Sequence, residues 1–228
     1  MRILCVIPVR GGSKGIPGKN LKPIAGKPLV VWSIAQALAA KPEMRVLVST
    51  DSQELADLAL AHGAEVPFLR PAELAQDTSP TEPSILHAIE FETAQGRRPD
   101  AVMLLQATSP IRFAGTIDRA ITQFTEQNLD SLVGTVAQTP FLWREDPFVR
   151  PLFDVGARPR RQDLKPEDMF YRETGSLYLT KTEVYLNEGN RLGGKIGVFV
   201  MDEDEGVDVD TPTDFVIAEQ LLLKNQAS

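Results

Sequence analysis

Arg10, Lys14 and Lys19 are interleaved with Gly11, Gly12, Gly15 and Gly18, and Asn20 closes the run. Glycines let backbone N–H groups turn toward an anion while the cations supply charge, so this stretch has the composition of a phosphate cradle. Far along the chain, Asp208 and Asp210 flank Val209. On an extended segment both carboxylates face the same side. Two such groups suit a cation, magnesium (Mg2+) above all, because it takes oxygen ligands and completes its shell with water and substrate phosphates. The plainer reading of Asp202, Asp204, Glu205, Asp208 and Asp210 is an acidic turn ahead of a helix whose dipole welcomes negative charge.

The spacing excludes two common phosphate loops. A P-loop needs four residues between its first glycine and the Gly-Lys pair, then Ser or Thr. Counting back from Gly18-Lys19 reaches Ser13, and Asn20 stands where the hydroxyl belongs. The dinucleotide pattern G-x-G-x-x-G fails as well. A solvated strand-to-helix connection with incidental lysines is the bland alternative.

These residues need elements to hold them. The run Ile3 to Val9 is continuously apolar, as in a strand buried on both faces. Pro28 opens a helical pattern of Leu29, Val30, Ile34, Ala37 and Leu38 that Pro42 closes. Val46 to Val48 reads as a strand, Glu54 to His62 as a helix stopped by Gly63, and Pro83 to Ala94 as a helix. Ala101 to Leu105 (strand), Thr116 to Gln127 (helix) and Ser131 to Val136 (strand) continue the alternation. Such alternation predicts a parallel α/β sheet with helices on both faces and ligands beyond the carboxyl ends of its strands, which puts Arg10, Asp51 and Gln106 on one rim. The pattern breaks over residues 139–168, which hold five prolines. Phe141, Trp143, Phe148 and Phe153 argue against a disordered linker there. Strands return at Ser176 to Leu179 and Ile196 to Met201, and Thr211-Pro212-x-Asp214 caps a last helix.

At 228 residues the chain suits one α/β domain with an accessory piece. Cys5, the single cysteine, lies in the first apolar strand and reads as a buried hydrophobe. Pro8 and Arg10 cut short any secretory segment and nothing approaches a membrane span, so a cytoplasmic setting is expected. A net charge of −7 argues against general nucleic-acid binding. His62 reads as a helix-terminal residue and His87 as a packed helix residue, so neither is an obvious base.

The motif Pro8-x-Arg10-Gly11-Gly12-Ser13-Lys14-Gly15-Ile16 with Lys19-Asn20 resembles the nucleotide site of the acylneuraminate cytidylyltransferases, which make CMP-sialic acid and related CMP-sugars. Further matches follow in family order: Leu69-Arg70-Pro71-Ala72-Glu73-Leu74-Ala75-x-Asp77, Leu104-Leu105-Gln106-x-Thr108-Ser109-Pro110-x-Arg112, Arg161-Gln162, Gly175-x-x-Tyr178 and Asp208-Val209-Asp210-Thr211. The resemblance implies a Rossmann-like, mostly parallel sheet of the nucleotide-diphospho-sugar transferase type, with residues 1–138 and 175–228 forming the α/β domain. Residues 139–174 would form a dimerisation insertion reaching toward the partner's site in a homodimer.

By this resemblance the substrates are CTP and an acidic keto sugar whose anomeric hydroxyl attacks the α-phosphorus. Arg10 and Lys19 then stabilise the phosphates with the Gly11 to Lys14 amides as donors, and Asn20 contacts the nucleotide. Arg70 and Thr81 are expected near the base and ribose, although Thr81 equally suits a helix N-cap. Asp208 and Asp210 hold magnesium, whose bound water is a more credible base than either histidine. Gln106, Thr108, Ser109, Arg161, Gln162 and Tyr178 fall to the sugar. Against these stand a strand-end turn for Gln106, a surface cation for Arg161 and a core aromatic for Tyr178. The family commonly has Asn-Gly where this chain has Thr174-Gly175, which removes an amide and brings legionaminate, pseudaminate or a deaminated sugar into consideration. Alternatives are a keto-deoxy octulosonate as acceptor, guanylyl or uridylyl transfer to a sugar phosphate, and a nucleotide-binding regulator without turnover.

Overall fold

The N-terminal apolar run forms the strand β1 (Ile3–Pro8), whose alternate residues serve two cores. In the computed structural model, which describes residues 1–12 and 15–226, the short strands β2 (Pro23–Ile24) and β3 (Lys27–Pro28) follow. Next come α1 (Leu29–Ala39), β4 (Arg45–Ser49), α2 (Gln53–Ala61), α3 (Glu82–Ala94), β5 (Ala101–Leu105), α4 (Thr116–Glu126) and β6 (Ser131–Gln138). The second half holds β7 (Trp143–Glu145), β8 (Val149–Pro151), β9 (Phe170–Lys181), α5 (Thr182–Glu188), β10 (Ile196–Met201) and α6 (Pro212–Gln226).

The main sheet has six strands in the order β10-β6-β9-β5-β1-β4. β1 runs parallel to β4 and β5, β10 runs parallel to β6, and β9 alone runs antiparallel to its neighbours. Cys5 and Ile7 face one layer, with Ile34 of α1, Leu55 of α2 and Ile121 of α4. Leu4 and Val6 face the other, with Ile85 and Ile89 of α3 and Tyr185 of α5. This alternation is the period of two that a strand buried on both faces requires. A third cluster joins Ile16, Ile24, Leu29 and Trp32 from the start of the chain to Val209, Ala218 and Leu222 near its end.

Several expected boundaries hold. Gly63, at φ 86°, stops α2, and Thr211 caps α6 by trading hydrogen bonds with Asp214. β9 is longer than expected. The Gly175 backbone, at φ 73°, makes an irregularity in the pairing with β6 instead of ending the strand, so residues 170–174 of the expected insertion lie in the central sheet. The rest of that stretch is a small ordered lobe. β7 and β8 form a hairpin, Phe141 and Trp143 stack edge-on against Phe153, and Arg158 lies 4.5 Å over the Phe141 ring. Phe148 (81% exposed) and Trp143 (56%) remain open to solvent. No helix among the described residues is long and apolar enough to cross a membrane.

Candidate active site

The carboxyl ends of β1 and β5 open into a cavity of about 540 Å³, which Arg10 and Gln106 line and Asp51, expected on the same rim, does not. β1 delivers Arg10, Gly12, Gly15 and Lys19 to its wall, and β5 delivers Gln106 and Thr108. Arg70 forms a buried part of it. Its guanidinium donates to the Val9 carbonyl (3.0 Å) and the Ser84 hydroxyl (3.1 Å) and lies 4.0 Å from Asp51. Burial lowers the Arg70 pKa, with Asp51 opposing that shift. Thr81 occupies the N-cap position of α3 yet its side chain makes no capping bond, and it lines the cavity.

The loop after β1 meets the acidic segment backbone to backbone. A Cβ on Gly15 would lie 2.5 Å from the Asp210 carbonyl oxygen, so only glycine permits this approach. Lys19 follows Gly18, a residue at φ 63°, and its ammonium donates to the Val209 carbonyl at 2.7 Å and pairs with Asp210 at 3.1 Å. Asn20 is buried. Its amide donates to the Arg10 carbonyl (3.3 Å), while its Oδ1 has no partner among the described residues. Arg10 is ion-paired with Asp77, and the Gly11 amide donates to Asp51 Oδ1 at 3.0 Å. These two groups are therefore engaged by protein carboxylates rather than turned to an empty cradle. Ser13 and Lys14 lie outside the described residues.

Val209 is buried in the third cluster and its amide donates to the Thr108 carbonyl at 2.7 Å. That bond fixes the residues on either side. Asp208 is half-buried and accepts from Ser109 Oγ at 3.4 Å, while Asp210 is exposed beside Lys19. Burial raises the Asp208 pKa and the charge of Asp210 adds to the rise; Thr108, Ser109 and Lys19 oppose it. Two carboxyl groups, one of them pushed toward its neutral form by burial and by its neighbour's charge, make an oxygen donor set that fits a hard divalent cation, whose charge would reverse that push. The described residues contain no cluster of three or more metal-ligating side chains.

The residues expected at the sugar separate into two groups. Gln106 and Thr108 line the cavity, and Gly175 packs so closely on Gln106 that a Cβ there would meet its Oε1 at 3.0 Å. Ser109 is fully buried and supports Asp208 instead of lining the cavity. Tyr178 is buried in the α3-side core, its hydroxyl donating to Glu173. Thr174 is also buried, bonded to the Gly134 carbonyl at 3.1 Å and set against Met201, so its side chain turns away from the cavity. Arg161 and Gln162 sit on an exposed turn of the lobe and do not line the cavity.

Arg112, which the sequence marks only as the end of a motif, is a buried hub. It donates to Ser33 and Gln36 of α1 and to the carbonyls of Gln106 (3.0 Å) and Ser176 (2.5 Å), tying β5 to β9. Burial lowers its pKa to about 10. Asp77 and Ser84 also went unassigned, because their value lies in pairing Arg10 and Arg70, which spacing does not reveal. A second, apolar cavity of about 520 Å³ lies between α1, residues 111–117 and the end of α6, away from the cationic loop.

A family model described as Cytidylyltransferase matches residues 4–222. The chain is 38% identical to N-acylneuraminate cytidylyltransferase A of Danio rerio, over 97% of this chain and 51% of that protein, so it spans about half of that relative's length. It is 35% identical to CMP-N,N'-diacetyllegionaminic acid synthase of Legionella pneumophila, over 99% of this chain and 98% of that protein. Identity to a pseudaminic acid cytidylyltransferase of Campylobacter jejuni is 30%, over 100% and 99%. A solved structure of CMP:2-keto-3-deoxy-manno-octonic acid synthetase complexed with CTP superposes with a TM-score of 0.72, at 19% identity, over 98% of this chain and 99% of that one.

Proposed function

This chain belongs to the cytidylyltransferase family, and from that premise we propose that it couples CTP to an acidic nonulosonic sugar, giving the CMP-sugar and pyrophosphate. The observation that carries this reading is the junction of the cationic loop with the acidic pair. Lys19 and Asp210, 191 positions apart, meet at the mouth of one cavity. Two relatives over 30% identical and matched along nearly their whole length carry the names of nonulosonic acids, legionaminic and pseudaminic, which favours that acceptor class over an octulosonate.

The reaction forms a bond from the anomeric oxygen to the α-phosphorus and breaks the bond from that phosphorus to the pyrophosphate oxygen; the hydroxyl proton passes to solvent water in the open cavity. The protein's task is to hold two anions in line and meet the charge that grows on the leaving group. Lys19, anchored by the Val209 carbonyl, is a fixed cation beside the phosphates. Arg10 joins it by exchanging Asp77 for a phosphate oxygen, and Gly12 leaves room for the chain to approach. Arg70, Thr81 and the unpartnered Asn20 Oδ1 offer donors and an acceptor to the nucleoside. Asp208 and Asp210 would hold magnesium, which supplies charge neutralisation when bound. Neither histidine lines the cavity; His87 packs edge-on against Phe68 at 4.3 Å. Gln106 and Thr108 face the acceptor.

The same reading makes the protein a homodimer. The exposed Trp143, Phe148, Val149 and Val155 give the lobe an apolar surface for a second copy, whose Arg161 and Gln162 would then reach the sugar carboxylate. Pyrophosphate release measured with CTP, UTP, GTP and ATP against nonulosonates and octulosonates tests the assignment. Release with CTP and a nonulosonate is expected; dependence on another nucleotide, or release with no pair, refutes it.

A further inference from the structure

Among the described residues, three cations line the cavity, and each has a carboxylate beside it. Lys19 pairs with Asp210, Arg70 lies near Asp51, and Arg10 pairs with Asp77. The reading above gives Asp210 to the metal, and Asp51 also accepts from the Gly11 amide. It leaves Asp77, itself a lining residue, without a task. Asp77 belongs to residues 75–80, a segment without helix or strand ahead of α3, which forms one wall of the cavity. The other hydrogen bonds of this segment among the described residues are short-range. The Ala75 amide donates to the Ala72 carbonyl, the Ser79 amide to the Gln76 carbonyl and the Ser79 hydroxyl to the Glu73 carbonyl, each at 3.1 Å. Asp77 ties the wall to the residue at the end of β1 that faces it, Arg10.

Stability does not account for this pair. The two side chains are 31% and 44% exposed, and an ion pair so open to water adds little to the fold. A carboxylate in the wall also repels the polyanion that the site must hold. Its value lies in exchange. With the cavity empty, Asp77 holds the Arg10 guanidinium, and a phosphate oxygen takes that guanidinium only by displacing the carboxylate. Once the α-phosphorus has been transferred, the same carboxylate competes with pyrophosphate for the same donors. Release of product limits turnover in many enzymes, so a competitor built into the wall serves the step that tight phosphate binding would slow.

We propose that Asp77 is a positioning residue acting through Arg10: a displaceable counter-ion that holds the guanidinium at the cavity wall before the nucleotide arrives and takes it back as pyrophosphate leaves. The inference rests on the nucleotidyl-transfer reading above. It requires that the effect of Asp77 be confined to ligands that bind Arg10 through phosphate, and that it vanish when Arg10 is removed.

The test is titration calorimetry with magnesium pyrophosphate and with cytidine, on wild type, Asp77→Asn, Arg10→Ala and the double variant. Asp77→Asn keeps the shape of a partly exposed side chain, and it is expected to bind pyrophosphate about threefold to fivefold more tightly, the scale of one exposed ion pair. Its affinity for cytidine, which has no phosphate, should not change. In the Arg10→Ala background the same substitution should lose most of its effect on pyrophosphate, because the group competed for is gone. Product inhibition should follow, with pyrophosphate inhibiting Asp77→Asn at a correspondingly lower concentration than wild type. An unchanged or weakened affinity for pyrophosphate in Asp77→Asn, an equal tightening for cytidine, or the full effect in the absence of Arg10 each overturn the proposal. Wild-type protein that binds neither CTP nor pyrophosphate refutes the underlying reading as well, whereas a wild type that binds both, with Asp77→Asn unaltered, refutes the inference alone.

Discussion

Asp208 and Asp210 share a motif but not a setting. Asp210 is exposed and leans on Lys19, so Asp210→Asn is expected to leave the thermal midpoint nearly unchanged while lowering turnover by roughly 10²-fold or more, as loss of one preorganised charge does. Wild-type turnover in that variant would remove Asp210 from the site. Cys5 makes a separate pH prediction. Burial raises its thiol from 9.0 to about 12, so the unfolded chain loses this proton before the folded one does. Its contribution to stability is therefore complete below pH 9.0 and is lost as pH rises toward about 12. Urea midpoints should fall over that window, less steeply in Cys5→Ala, and the native thiol should resist alkylation at neutral pH. Rapid alkylation of the folded protein would contradict the burial.

Among the elements, the two sequence-distant segments that meet at Lys19 and Asp210, the proposed nucleotide end, were legible because their residue types were: cations among glycines after an apolar run, and paired carboxylates before a helix cap. The sugar end was harder to read, and β9 shows why. Thr174 and Tyr178 are four positions apart, which in a regular strand puts both on one face. The irregularity at Gly175 shifts the phase, sending Thr174 against Met201 in one core and Tyr178 against the α3 layer in the other. A motif read as one contact surface thus divides between two faces, and no spacing rule exposes a bulge. The same geometry makes two glycines testable. Gly15→Ala forces the loop off the Asp210 backbone and is expected to raise KM for CTP by about tenfold or more with the fold retained, as small displacements in a positioned site do. Gly175→Ala strains a left-handed backbone against Gln106 and should weaken acceptor use more than CTP use. Titration calorimetry with CTP and with each acceptor separates these effects; equal losses for both ligands in both variants would dissolve the division of the cavity.

For the whole molecule, the proposed dimer places its interface on the lobe. Its aromatics were visible in the sequence as a sign of order, but the hairpin and the extent of β9 were not, since neither has a hydrophobic period of its own. Sedimentation at micromolar concentration is expected to show a dimer, and Phe148→Asp should shift it toward monomer; a monomeric wild type would refute the interface. Mixing Arg161→Ala with Asp210→Asn protein gives a sharper reading. If each site borrows Arg161 from its partner, hybrid dimers contain one complete site, and activity returns to roughly a quarter or more of wild type for random pairing of equal subunits. No recovery after subunit exchange would place Arg161 outside the partner's site.

The junction of Lys19 with the Val209 carbonyl also orders events during synthesis. It spans 190 positions, and the cluster that seats it needs Ala218 and Leu222. A ribosome that has added the first 201 residues carries every strand of the main sheet but neither carboxylate of the acidic pair. On the proposed reading, nucleotide capture would be a property that the nascent chain acquires only in its final stretch, and a polypeptide arrested earlier would hold no CTP back from the cell.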